Sequence, residues 1–178
     1  MWLRGSILGI PVIVGVVYLA VSNGQHDGNA RIMKCVSTDV QRWAADREVL
    51  LMGDFNGHLQ ALDGFQDFNG DLVELTAREL NLEIANLRSD CEGEFTWCAR
   101  NSHSCIDYVL ISPKLSRHVT SITIDEDGKF SVGSDHNPDN TRRPEVVLKW
   151  YNRPRTFLDV LDTASGMPEK VVLITSRG

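Results

Sequence analysis

A chain of 178 residues with a net charge of −6 is long enough for one domain with a sizeable core. Its 42% hydrophobic and 24% charged residues are ordinary for a globular protein, and no low-complexity tract or internal repeat is present. The acidic balance argues against a broad basic surface of the kind that grips polyanions, leaving only local contacts for such a partner.

In chain order, the first feature is a mostly apolar run from Ile7 to Val21 that follows Arg4. Such a run resembles a signal peptide or a membrane anchor, but it falls short of the roughly 20 apolar residues that a span needs. It contains Gly9, Pro11 and Gly15 and is rich in Val and Ile, which favours strand over helix. Gly9-Ile10-Pro11 reads as a turn, so the segment is predicted as a buried hairpin of Trp2 to Leu8 and Val12 to Val21. A polar loop, Ser22 to Gly28, comes next. The spacing then predicts a helix over Asn29 to Asp46, with Ile32, Val36, Val40 and Trp43 on its inward stripe. Val49 to Met52 reads as a strand buried on both faces that runs straight into Gly53-Asp54. Residues 57–68 are rich in Gly and Asp and read as a loop. Asp71 to Leu80 is predicted as a helix capped by Asp71, with Leu72, Leu75 and Leu80 inward.

Short strands follow at Leu82 to Leu87, Phe95 to Trp97, Ile106 to Ile111, Val119 to Ile124 and Val146 to Trp150, with a turn or short helix at Pro113 to Leu115. Strands alternating with helices and then strand-rich stretches fit an α/β sandwich of two layers. Beyond Trp150, Arg153-Pro154-Arg155 marks residues 151–178 as a linker or C-terminal tail, with one further candidate strand at Lys170 to Thr175. Residues 1–150 are therefore the expected domain. The four cysteines, at positions 35, 91, 98 and 105, lack the paired spacing of structural zinc and suggest no disulfide framework. They read as reduced thiols of an intracellular protein, nuclear or cytoplasmic, with Cys105 buried.

Three polar clusters stand at the ends of apolar runs: Gly53-Asp54-Phe55-Asn56, Asp107 within Ile106 to Ile111, and Ser134-Asp135-His136. Taken singly, an Asp after a strand is a turn former or cap, and Ser-Asp-His is a polar loop. Asp107 resists that reading, because a carboxylate inside a buried strand must be paired or coordinated. Carboxylate oxygens and an amide suit a hard cation such as Mg²⁺, and His136 adds a group that exchanges protons near neutral pH. Together the clusters read as metal-assisted phosphoester cleavage.

The ordered set Gly53 to Asn56, Thr96-Trp97, Ser104-x-Ile106-Asp107-Tyr108-Val109-Leu110 and Ser134-Asp135-His136 resembles the endonuclease/exonuclease/phosphatase family. The run Val49 to His58 is most similar to its non-LTR retrotransposon branch, and Val16-Val17-Tyr18-Leu19 resembles the strand that delivers a phosphate-facing tyrosine. The resemblance implies a DNase I-like fold, with two packed β-sheets flanked by helices and the site at one edge. It implies that Asp54 orients or deprotonates the attacking water and shares the metal with Asp135. It further implies that Asn56 and Tyr18 donate to phosphate, that Trp97 contacts substrate, and that Asp107 orients the His136 imidazole at the scissile phosphate. Asn56 follows Asp54 by two positions in what is predicted as extended chain, which would turn both side chains to one face. For Tyr18, packing at the core edge stays open as the alternative.

The cofactor implied is Mg²⁺ or Mn²⁺ and the partner DNA, with no stable membrane association and an oligomeric state that the sequence leaves open. Family members carry an Asn and a Gln-Glu pair on strands before the tyrosine strand. The 17 residues ahead of Tyr18 contain neither Asn nor Glu, so the domain is expected to be N-terminally truncated. A reverse transcriptase, which the branch implies downstream, is not supplied by residues 151–178. Two alternatives remain: a family phosphatase or phosphodiesterase acting on a lipid or RNA, and a non-catalytic remnant lacking the metal-binding Glu. Among weaker candidates, His58 reads as a loop histidine, while His26, His103 and His118 read as solvated. Asp63, Asp67, Asp71, Asp125 and Asp127 read as turn and cap residues. Arg142, Arg143, Lys149, Arg153 and Arg155 are either phosphate contacts or a solvated face.

Overall fold

A computed structural model describes residues 1–22, 27–99 and 102–124. The described residues divide into two units, the first made of residues 1–22, 27–87 and 105–118 and the second of residues 88–99, 102–104 and 119–124. In order, the first unit carries β1 (Trp2–Ile7), β2 (Ile10–Tyr18), α1 (Asp27–Trp43), β3 (Glu48–Asp54), α2 (Gln60–Asp63), α3 (Phe68–Glu79) and β4 (Glu83–Ile84). The second carries β5 (Cys91–Glu92), β6 (Trp97–Ala99) and β7 (Ser102–Ser104). The chain then returns to the first unit for β8 (Asp107–Ile111) and α4 (Pro113–Ser116) before β9 (Ile122–Thr123). The class is α/β, as the alternation of patterns predicts.

The first unit is built on a five-stranded sheet in the order β1-β2-β3-β8-β4. β1 and β2 form the expected hairpin, running from Trp2 opposite Gly15 to Ile7 opposite Ile10. Its turn is Leu8-Gly9, both at positive φ, so it falls one residue before the predicted Gly9-Ile10-Pro11 turn. A two-residue turn with positive φ at both positions matches the right-handed twist of the strands. β2 stops at Tyr18, short of the predicted Val21. Among the described residues, no helix is long and apolar enough to cross a membrane.

β3 pairs parallel to β2, and α1 supplies the long crossover that parallel strands need. On its other edge β3 pairs antiparallel with β8, which also pairs with β4. Alternate residues of the central strands, Ile13, Val17, Val49, Leu51, Tyr108 and Leu110, join Met33, Val36 and Val40 of α1 and Val73 and Ala77 of α3 in one core. The opposite face holds Val12, Val14, Leu50, Met52, Val109 and Ile111, which are also buried. This is why β3 and β8 read as unbroken apolar runs.

The helices depart from prediction in phase. α1 buries Met33 and not Ile32, which is exposed. α3 begins earlier than predicted and is capped by Asp67, whose carboxylate accepts from the Gly70 N–H at 2.8 Å. Asp71 sits inside the first turn and accepts from Gln66 Nε2 instead, and Leu75 is exposed. Asp67 Oδ1 also accepts the His58 N–H at 2.9 Å, so this cap ties the loop after β3 to the helix. Asp67→Ala should therefore cost about 1–2 kcal/mol in urea unfolding, at the upper end for a cap, while Asp71→Ala should stay within about 0.5 kcal/mol. Equal losses for the two would assign the cap wrongly.

In the second unit β5 pairs parallel with β9, and β6 pairs antiparallel with β7. Arg88 grips Asp90 through Nε at 2.8 Å and Nη2 at 2.6 Å, and that hydrogen-bonded guanidinium holds the Asp90 carboxyl below its ordinary range. Strand at Leu82 to Leu87 narrows to β4 followed by a 3₁₀ turn at Ala85–Leu87. The strand predicted at Phe95 to Trp97 moves on to β6, and Val119 to Ile124 shortens to β9. Predicted strands at Val146 to Trp150 and Lys170 to Thr175 lie outside the described residues. All four cysteines are free thiols, and Cys105 is buried.

Candidate functional site

Sheet register brings three predicted site residues side by side. Tyr18 pairs with Asp54 across β2 and β3, and Asp54 pairs with Asp107 across β3 and β8. Directly paired residues of neighbouring strands share a face. Here that face is the one opposite the α1 and α3 core, because Val17, Gly53 and Tyr108 occupy the helix side. Two further hydrogen bonds extend the ladder past the strand ends, from Leu19 N to Asp54 O at 2.9 Å and from Phe55 N to Ile106 O at 3.0 Å. The three residues are therefore fixed by backbone pairing and do not depend on loop conformation.

Their environments differ. Tyr18 is 62% exposed. Asp54 is half-buried, and Asp107 is 1% exposed. Asp54 Oδ2 and Asp107 Oδ1 are both buried atoms. Carboxylate oxygens at neighbouring register positions are of the kind that suits a hard divalent ion. Among the described residues, however, no group of three or more His, Cys, Asp or Glu forms a metal cluster.

Asn56 departs from the predicted geometry. Its φ is 44°, a left-handed conformation, so the segment after Asp54 is not extended and the two side chains do not simply alternate onto one face. Asparagine tolerates this region better than most residues. The turn closes when the Asn56 N–H donates to Asp54 Oδ1 at 2.9 Å. Asn56 Nδ2 donates to Leu19 O at 2.9 Å, so one of its two amide protons serves the loop that follows Tyr18.

Several supporting residues were not legible as such. Asp63, predicted as a turn residue, is a side chain only 8% exposed that meets His58 Nδ1 at 2.8 Å and accepts the Cys105 N–H at 3.0 Å. His58 is thereby oriented, with its ring packed on Phe65 at 4.3 Å. The Tyr108 hydroxyl lies between Gly57 O, at 2.8 Å, and Cys105 O, and burial pushes its ionisation far above the ordinary range. Asn86 accepts the Val109 N–H and donates to Asp107 O, bracing the start of β8. A polar residue in the apolar run Ile84 to Leu87 was the available signal, the same one that marks Asp107. Trp97 is half-buried at the start of β6 in the second unit. Ser134, Asp135 and His136 lie outside the described residues.

Comparisons with known proteins bear on the family and the fold. A family model described as endonuclease–reverse transcriptase matches residues 12–139. The endonuclease domain of TRAS1, a telomere-specific non-LTR retrotransposon, matches with a TM-score of 0.53 at 21% identity over 72% of this chain. A 3′-5′ exonuclease from Neisseria meningitidis, NExo, matches with a TM-score of 0.53 at 19% identity over 76% of this chain. These likenesses show the fold, and the chain spans 54% of the first structure's length and 61% of the second's. No curated protein matches.

Proposed function

We propose that this chain, which belongs to the endonuclease–reverse transcriptase family, hydrolyses phosphodiester bonds in DNA with the help of a divalent cation. The observation that carries the reading is the alignment of Tyr18, Asp54 and Asp107 on one sheet face at the ends of three adjacent strands. A tyrosine donor beside two carboxylates is what phosphoester hydrolysis asks of a rigid surface: a group for the phosphate, a group for the water and a seat for positive charge. The donor set is all oxygen, which suits Mg²⁺ or Mn²⁺ and not zinc.

In this reading Asp54 and Asp135 would hold the ion, which supplies charge neutralisation on the phosphate when bound. Tyr18 donates its exposed hydroxyl to a phosphate oxygen, and Asp54 orients the attacking water. Asn56 is proposed as a second donor to the same phosphate. Asp107, buried at the start of β8, fixes the tautomer of His136, whose other ring nitrogen handles the proton at the scissile phosphate. Trp97 offers an aromatic face to the substrate. We propose an intracellular location, nuclear or cytoplasmic, a reading that the four free thiols support.

Supercoiled plasmid, a phosphoinositide and poly(A) should be assayed side by side with Mg²⁺. Plasmid nicking that EDTA abolishes is the expected result. With a net charge of −6 few phosphates are neutralised, so the logarithmic salt slope should be shallow, roughly −0.9 per phosphate contact. Turnover of only the lipid or only poly(A) would transfer the same site to a different phosphoester. A folded chain that cleaves none of the three would be a non-catalytic remnant.

A further inference from the structure

The site loops converge on an amide pair that no part of the proposed chemistry uses. Asn69, in the first turn of α3, is 0% exposed, and Asn29, near the start of α1, is 5% exposed. Asn69 Nδ2 faces three backbone carbonyls: Ala20 O at 3.0 Å, Phe55 O at 3.0 Å and Asn56 O at 2.9 Å. Its Oδ1 accepts from Asn29 Nδ2 at 2.9 Å. Asn29 in turn takes the Ala20 N–H on Oδ1 at 3.1 Å and reaches Ala20 O through Nδ2 at 2.8 Å.

The carbonyls are not arbitrary ones. Ala20 lies two residues after Tyr18, and Phe55 and Asn56 directly follow Asp54. One buried amide thus holds both chain segments that leave the parallel strands β2 and β3 on their way out of the site. Removing this buried amide takes its donor from Phe55 O and Asn56 O at once and leaves Ala20 O to Asn29 Nδ2 alone. It also opposes relaxation of the left-handed Asn56, whose carbonyl it grips.

We propose that Asn69, braced by Asn29, is the positioning residue of the site: it sets the exit geometry of the Tyr18 and Asp54 strands and so the aim of the Tyr18 and Asn56 donors. This rests on the reading of Tyr18, Asp54 and Asn56 as the phosphoester site. Asn69 touches no substrate and acts through the backbone it holds.

The test uses the full chain and the variants Asn69→Leu, which removes the amide at similar volume, and Asn29→Ala, which removes its brace together with the two bonds to Ala20. NMR-detected hydrogen exchange reads the loop directly. In Asn69→Leu the amides of Ala20, Phe55 and Asn56 should exchange at least tenfold faster, while those of Leu50, Leu51 and Leu110 in the sheet keep their protection. Asn29→Ala frees the Ala20 N–H directly, so there it is read at Phe55 and Asn56, whose exchange should rise more weakly than in Asn69→Leu; it serves as the deciding variant should Asn69→Leu not fold. Plasmid nicking provides the second readout: kcat should fall about 100-fold with KM within threefold, as for misaimed groups that still bind. Uniform loss of protection across loops and sheet, or loop amides that do not change, would overturn the positioning role. An unmodified chain that nicks nothing would fault the functional reading alone, since the exchange pattern still decides the claim about Asn69.

Discussion

Asp107→Asn should lower phosphodiester turnover by about 10²- to 10³-fold while shifting Tm by no more than a few degrees. The backbone of β8 does not depend on the Asp107 carboxylate: its ladder to β3 is carried by main-chain pairing, and Asn86 braces Asp107 O and the Val109 N–H. Asparagine is nearly isosteric, so the 1% exposed position stays filled. What changes is charge. On the proposed reading, the side chain would no longer serve the His136 imidazole as a charged partner. Thermal unfolding monitored by circular dichroism and nicking rate per folded molecule separate the two effects. An Asp107→Asn chain that unfolds while its folded fraction cleaves at the original rate would make Asp107 a structural residue.

The largest stability loss is expected at Gly53→Ala. Gly53 sits at φ 146°, and a Cβ there would lie 1.9 Å from Val17 O and 2.9 Å from Val17 C. Neither partner can yield cheaply. Val17 is the register partner of Gly53 in the parallel pair, and β3 is held on its other edge by β8. Backbone must part from backbone at the centre of the sheet, next to Asp54. A loss of at least about 4 kcal/mol is expected, enough to leave a marginal domain mostly unfolded. Gly5→Ala, in β1 where nothing lies within 4 Å of the added carbon, should stay within about 0.5 kcal/mol. Urea midpoints of the two variants check the contrast, and similar midpoints would refute it.

What the sequence disclosed and what it hid follow from the same physics. Asp54 and Asp107 were legible because each breaks an apolar run, and a charge in such a run has few harmless explanations. The Gly before Asp54 marked the end of the strand, although only the register showed that Tyr18, Asp54 and Asp107 line up. Asn69 and Asn29 were invisible, because an asparagine buried as a hub and one idling in a turn are written alike. Asp63 failed for a related reason: in a Gly- and Asp-rich stretch a turn role was the economical reading, and its partner His58 is identified only once α2 folds back. The cap of α3 was misplaced because Asp67 and Asp71 are both good cap residues, and Phe68-Asn69-Gly70 between them does not look helical. Ile32 and Met33 are adjacent apolar residues, so periodicity alone could not fix the phase of α1.

The position of β8 in the sheet bears on the order in which the molecule is made. β2 and β3 are in hand once residue 54 has been synthesised, but the strand that pairs the far edge of β3 arrives about fifty residues later. Closing so long an intervening segment is entropically slow, and it is a non-local step of the kind that limits folding rates. Until it closes, Val49 to Met52 present an apolar strand with one edge bare, which is a template for pairing with another chain. Asp54 and Asp107 meet only when that edge is sealed. A nascent chain therefore passes its most aggregation-prone interval before Asp54 and Asp107 stand side by side, and the event that aligns them is the one that ends the hazard.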